Sequence, residues 1–232
     1  MTEFFSGCEI GQRAINQDFH KSYSDNDIVV AIVADGLGAY KGSEIASQAF
    51  CELFISTTIA EKHQLTHNPE HIYDIIFEAA SKTISILLHN RVVEACTAFA
   101  LVVVTKNHII KSHVGDCRIY SMSDTDEIIH TQDHSIAVGP QQSDDFIAHS
   151  GILTNVIGPS SEINPDIQIV ANDNQATMHL LCSDGFWSHL SQTFIRKFYN
   201  AKNKNLAIKP YIKMLKDNKL DLDNLTYLVF ER

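Results

Sequence analysis

Four short stretches of the chain set an aspartate at the rim of an apolar strand. Ile28–Ala34 runs into Asp35-Gly36, and the apolar runs around Val102–Thr105 and Ile109–Val114 end at Gly115-Asp116. Met178–Ser183 runs into Asp184-Gly185, and Asp223-Asn224 precedes Leu225–Phe230. A buried strand delivers its last residue to a fixed place at the edge of a sheet. Several such carboxylates can converge on cations that prefer oxygen ligands. A single Asp-Gly is ordinary turn chemistry. Four rim aspartates in one chain favour a metal site. Arg13, in Arg13-Ala14-Ile15-Asn16-Gln17-Asp18, supplies a planar fork suited to a phosphate beside such a cluster. By itself it reads as a surface arginine.

Other candidate motifs are weaker. Gly36-Leu37-Gly38-Ala39-Tyr40-Lys41-Gly42-Ser43 resembles a phosphate-cradling loop, but its spacing fits neither the dinucleotide fingerprint nor the Walker loop. It reads instead as a flexible turn that lets backbone carbonyls approach a metal, with Ser43 capping the next helix. His63, His67 and His71 are spaced by four, but Pro69 breaks any shared helical face. They read as solvated surface residues. His134, in Asp133-His134-Ser135, is the histidine to watch. No Gly-x-Ser-x-Gly elbow occurs, and Trp187 reads as core.

The elements that must position these residues follow from periodicity. Met1–Asp18 leads in with a short strand, and Ile28–Ala34 is a strand apolar enough to be buried on both faces. Ser43 to about Glu61 is helical, with Ile45, Ala49, Leu53 and Ile59 as its apolar stripe. Pro69 opens a second helix to about Arg91, on which Ile72, Ile75, Ile76, Ala79, Ala80, Ile84, Leu87 and Leu88 keep a helical period. Ala98–Thr105 and His108–Val114 form a hairpin, as do Arg118–Ser121 and Ile128–Thr131 around a polar turn at Ser123–Glu127. Gly139–Gly158 is loop-rich, with one short helical stretch around Asp144–Ser150. Ile167–Val170, Met178–Cys182 and Leu225–Phe230 are strands, and Phe194–Asp217 is mostly helical with a break near Asn203–Asn205. Runs of strands separated by runs of helices indicate an α+β layered domain with mainly antiparallel sheets, not alternating βαβ units.

Bulk composition narrows the function classes. The formal charge is −10, from 18 basic and 28 acidic residues, which argues against a general nucleic-acid or anionic-membrane binder. The five cysteines are scattered without a Cys-x-x-Cys pair. They read as small hydrophobes in a reducing compartment, with no disulfide and no thiolate zinc site. With no charged-then-apolar leader and no apolar run of membrane-spanning length, the expected setting is cytoplasmic. No linker or repeat divides residues 1–232, so one domain is expected.

Taken in order, the segments resemble the metal-dependent protein phosphatases, the type 2C serine/threonine phosphatases, in their compact bacterial form. The resemblance rests on Arg13…Asn16-Gln17-Asp18, Val33-Ala34-Asp35-Gly36-Leu37-Gly38 with Gly42–Ser47, and Cys96-Thr97-Ala98. It continues through Val114–Tyr120, Asp133-His134-Ser135, Leu181–Trp187 and Asp223–Thr226. Each motif alone is weak; the ordered set across nearly the whole chain is specific. The resemblance implies a four-layer α-β-β-α sandwich of two antiparallel sheets, with a binuclear Mn²⁺ or Mg²⁺ site at one end. It implies that Asp35 bridges both ions and the Gly36 carbonyl binds one. Asp184 and Asp223 hold the other, and Asp18 acts through metal-bound water. Asp116 helps bind a third, weaker ion, and Arg13 takes the substrate phosphate. The implied reaction is in-line hydrolysis of phosphate monoesters by metal-activated hydroxide, without a phosphoenzyme.

The implied partners are phosphoserine and phosphothreonine proteins and a cognate bacterial serine/threonine kinase, and the implied state is a monomer. Three departures matter. Gln17 stands where many members have Glu, so weaker metal binding is expected. Leu37 stands where animal members have a histidine able to protonate the leaving group. Ala39-Tyr40 replaces the more usual Gly-His. Gly139–Gly158 covers the flap that shapes substrate choice. The rival readings are a catalytically silent relative that binds phosphoproteins, a phosphatase dedicated to one regulatory phosphoprotein, and a domain merely stabilised by calcium; no run here matches a calcium loop.

Overall fold

The computed structural model describes residues 2–123, 128–137, 143, 149–173, 177–217 and 223–231. One sheet joins β1 (Phe4–Glu9), β6 (Arg118–Ser123), β7 (Ile128–His130), β9 (Thr177–Cys182) and β10 (Leu225–Glu231) in the order β1-β10-β9-β6-β7. The other joins β2 (Asp18–Ser24), β3 (Ile28–Gly36), β4 (Thr97–Thr105), β5 (His108–Val114) and β8 (Asp166–Ala171) in the order β2-β3-β4-β5-β8. Neighbouring strands are antiparallel throughout both. Helices α1 (Ser43–Ala60), α2 (Lys62–His67) and α3 (Ile72–His89) follow β3, with a single turn at Pro69–His71 between α2 and α3. Helices α4 (Asp184–Trp187), α5 (Gln192–Tyr199) and α6 (Lys204–Asp217) lie between β9 and β10.

Strand alternation builds the four layers. Along β3, Ile28, Val30, Ile32 and Ala34 join Phe50, Phe54, Ile72, Ile75 and Ile76 in the layer under α1 and α3. Ala31 and Val33 face the other way, into the layer between the sheets, with Ala98, Ala100, Val102, Leu228 and Phe230. Tyr227 and Val229 of β10 turn outward to Phe186, Ile195, Phe198, Ile208 and Leu215 of the second helical layer. A strand apolar on both faces is what a central position in such a sandwich requires.

Several expectations are corrected. Asp18–Ser24 forms strand β2 at the sheet edge, where its polar alternation conceals the strand signal. The buried side of α1 carries Ala46, Phe50 and Phe54, while Ile45, Ala49, Leu53 and Ile59 sit on its half-buried flank. The two phenylalanines bring more apolar area to β3 and β4 than the aliphatic stripe would. Leu88 is exposed at the end of α3. Ser43 does not cap α1: the cap is Gly42 in the left-handed region, and Ser43 Oγ accepts from the Cys96 N–H at 3.4 Å. His71 is buried rather than solvated, with its ring between Glu61 and Asp74. The turn residues 124–127 and most of the helical stretch expected around Asp144–Ser150 lie outside the described residues.

Candidate metal centre

Register carries the rim aspartates to one end of the sandwich. Asp18 opens β2 directly opposite Asp35, and Asp35 is opposite Ala98 on β4. Asp116 lies in the three-residue link Gly115–Cys117 from β5 to β6, where the chain crosses from one sheet to the other. Gly115 makes that crossing possible: its φ is +81°, and a Cβ there would meet the Ala98 Cβ at 2.5 Å. In the other sheet β9 ends at Cys182, opposite both Arg118 and Tyr227. Asp184 just past β9 and Asp223 just before β10 therefore emerge side by side.

The result is a cavity of about 580 Å³ lined by Arg13, Tyr40, Ile152, Leu153 and the carboxylates of Asp35, Asp116, Asp184 and Asp223. Asp18 sits behind it, buried, with Oδ2 accepting from the Ser183 hydroxyl at 2.7 Å. The structure thus gathers Arg13, Asp18, Asp35, Asp116, Asp184 and Asp223 at one place, with Gly36 ending β3 beside Asp35.

The electrostatics of this arrangement are unfavourable without cations. Burial first, and then the charges of Asp18, Asp184 and Asp116, push the Asp35 carboxyl well above the usual carboxylate range. Burial and the charge of Asp184 do the same to Asp116. Burial also raises Asp18, and burial with the charge of Asp223 raises Asp184. Arg13 pairs with the outer member: its Nη2 donates to Asp223 Oδ2 at 2.5 Å. The Asp18 Oδ1 atom is buried with no hydrogen-bond partner. An all-oxygen donor set of five carboxylates, one with an orphaned oxygen, fits hard divalent cations such as Mg²⁺ or Mn²⁺. Cysteine plays no part: four of the five pack as buried small hydrophobes.

Residues with no obvious sequence signal hold the site together. Asn224 accepts from the Gln17 N–H at 2.8 Å and donates to the Ile10 and Ile15 carbonyls at 2.9 and 3.1 Å. One amide thereby ties the Arg13 loop to the segment that carries Asp223 into β10. Thr97 Oγ1 donates to the Asp35 carbonyl at 2.8 Å, and Asn16 Oδ1 accepts from the Asp18 N–H at 3.1 Å. Gln17 spends its amide on the Tyr40 carbonyl at 3.0 Å. Trp187 is core, as expected, but its Nε1–H also donates to the Asp116 carbonyl at 2.7 Å. Its ring lies under the Arg118 guanidinium, 3.4 Å from carbon to centroid. Arg118 in turn makes paired bonds to Asp133 at 2.8 and 2.7 Å, both side chains being almost wholly buried. His134 lies outside the carboxylate cavity and faces the back of the Gly115 turn.

Comparison with known proteins agrees with the fold. The family model described as Protein phosphatase 2C matches residues 9–223. A serine/threonine phosphatase stp of Listeria welshimeri is 26% identical over 220 residues, covering 90% of this chain and 86% of its own. Protein phosphatase PhpP of Streptococcus pneumoniae is 26% identical over 232 residues, covering 94% and 92%. The crystal structure of serine/threonine phosphatase Stp1 from Staphylococcus aureus superposes with a TM-score of 0.82 at 21% identity, covering 99% of this chain and 94% of that one.

Proposed function

The chain belongs to the protein phosphatase 2C family, and from that premise we propose that it is a metal-dependent serine/threonine phosphoprotein phosphatase that reverses the work of a bacterial-type kinase. The observation that carries this reading is the convergence of five aspartates from both sheets, with one arginine, on a single cavity.

Two divalent cations, when bound, supply an activated water and neutralise the phosphoryl oxygens. Asp35, central among the carboxylates, is the residue proposed to hold both ions, with the Gly36 carbonyl beside it. Asp184 and Asp223 would hold the other ion, Asp116 would help bind a third and weaker one, and Asp18 would act through water on the ions. Arg13 stands at the rim, about half exposed, with its fork already oriented by Asp223. It receives the substrate phosphate by charge-assisted hydrogen bonds and fixes its attack geometry. Leu37 lines the cavity where a proton donor would otherwise stand and has no ionisable proton, so protonation of the departing seryl or threonyl oxygen falls to water. Tyr40, Ile152 and Leu153 shape the entrance and contact the protein part of the substrate.

A binding-only relative has no use for the full carboxylate set, and the retained Asp18, Asp35, Asp184 and Asp223 favour turnover. The test is hydrolysis of p-nitrophenyl phosphate and of a phosphothreonine peptide with Mn²⁺, with Mg²⁺ and with chelator. Turnover is expected with either ion and none with chelator. A folded protein inert with every ion would overturn the proposal in favour of the phosphoprotein-binding module.

A further inference from the structure

At the far side of the Gly115 turn, His113 of β5, His134 and Asp166 of β8 bring three ligand atoms within 4.8 Å of one another. None of the three lines the aspartate cavity. We propose that this trio is a second, separate metal site, selective for an imidazole-loving transition ion such as Zn²⁺. The inference does not depend on the phosphatase reading.

The donor chemistry decides the class of ion. Two imidazoles and a carboxylate suit zinc-like ions, while Mg²⁺ seeks an oxygen set such as the one next door. The geometry matches as well. Ligands about 2.1 Å from a tetrahedral ion stand about 3.4 Å apart, and His134 Nε2 lies 3.4 Å from Asp166 Oδ2. His113 Nε2–H donates to the Gln132 carbonyl at 2.8 Å, which leaves Nδ1 as the ligating atom. A ring nitrogen anchored to a backbone carbonyl is the usual support for a metal-bound histidine. The His113 and His134 rings stack with centroids 4.5 Å apart. Burial, above all, lowers the His113 pKa and keeps its ring neutral. Asp166 is largely exposed and supplies the small closing movement, and the adjoining cavity of about 560 Å³ gives an ion access from solvent.

Filling this site would be felt at the aspartate centre. His134 Nδ1 now accepts from the Gly115 N–H at 3.2 Å, and Asn155 Nδ2 lies 3.2 Å from the same atom. The neutral ring therefore carries its proton on Nε2, toward Asp166. When the ion takes the Nε2 lone pair, that proton moves to Nδ1 and the ring stays neutral. The Gly115 N–H then loses its acceptor, one residue from Asp116.

The experiment is calorimetric titration of Zn²⁺ into the protein in excess Mg²⁺, with Co²⁺ absorption as a check of tetrahedral nitrogen coordination and amide NMR as a check of the turn. One Zn²⁺ per chain is expected, together with a shifted Gly115 amide. Binding is expected to weaken about 10- to 100-fold in Asp166→Asn, to vanish in a folded His113→Gln, and to survive Asp35→Asn. No Zn²⁺ binding by the wild type, equal binding by Asp166→Asn, or loss in Asp35→Asn would each overturn the proposal.

Discussion

Asp18 and Asp35 stand directly opposite one another at the end of the β2–β3 ladder, two acidic side chains across a pair where opposite charges or apolar contact would stabilise. In the proposed metal centre this pair would form the floor of the site, where cations would offset the two carboxyl groups.

Replacing Asp35 by Asn should therefore separate stability from activity. Turnover of p-nitrophenyl phosphate is expected to disappear. Relief of one like-charge pair is worth about 0.2–1 kcal/mol, so the metal-free protein should melt at an equal or slightly higher temperature, by about 0–4 °C. Mn²⁺ is expected to raise the melting temperature of the wild type by mass action, and that rise should be lost in the variant. Calorimetry with and without Mn²⁺ checks both parts, and a variant that still turns over would remove Asp35 from the site.

Arg13→Ala should damage substrate capture while leaving the fold intact, since the side chain is about half exposed. A charge-assisted hydrogen bond contributes about 1.5–3 kcal/mol, which corresponds to a fall of about 10- to 100-fold in kcat/KM on a phosphothreonine peptide. Inhibition by inorganic phosphate should weaken in parallel. Arg13→Lys should recover only part, because an ammonium lacks the bidentate fork.

Asn224→Ala should behave as a change in positioning. It strips the acceptor from the Gln17 N–H and the donor from the Ile10 and Ile15 carbonyls. A buried group left without its partner costs about 1–3 kcal/mol. Urea unfolding should report that loss, and KM should rise because the Arg13 loop is no longer tied to the segment bearing Asp223. A variant with unchanged KM would show that the tether serves the fold alone.

Asp133→Ala would leave the Arg118 guanidinium buried without its carboxylate. Breaking a buried pair in this way costs about 3–5 kcal/mol, or roughly 6–20 °C in melting temperature for a chain of this size. Trp187 is the single tryptophan, and its ring contacts that guanidinium. Its emission should therefore shift in the folded variant. Unchanged emission and stability would contradict the paired geometry.

The His71 turn should make stability depend on pH. Burial lowers the His71 pKa, but the bonds to Glu61 and Asp74 outweigh it, and the net shift is upward. A group whose folded pKa is raised stabilises fully below its unfolded value, about 6.5, and loses that contribution as pH rises through the folded one. The difference in urea midpoint between wild type and His71→Gln should shrink from pH 6 to pH 9. A difference that is constant or grows would refute the assignment.

Much of this protein can be read from its sequence because its key residues end apolar strands. Runs such as Ile28–Ala34 and Leu225–Phe230 announce burial on both faces, and a buried strand has little choice about where it releases its last residue. Asp35, Asp184 and Asp223 could therefore be placed at a rim before any fold was known, and the order of motifs pointed to the layered architecture. Local pattern was silent or misleading where a residue's role depends on a distant partner. β2 is polar and at an edge, so nothing in its sequence distinguishes it from a loop. His71 reads as solvent-facing until Glu61, ten residues back, closes over it. Asn224 is one more turn residue until the Gln17 N–H arrives from 207 positions away. His113 and Asp166 lie 53 positions apart and share a site only because β5 and β8 pair in a register that sets them opposite each other. Periodicity records which face of a segment avoids water, a property of the segment itself. Which polar atoms meet across the sandwich is decided by strand register and sheet packing, and these exist only once the chain has folded.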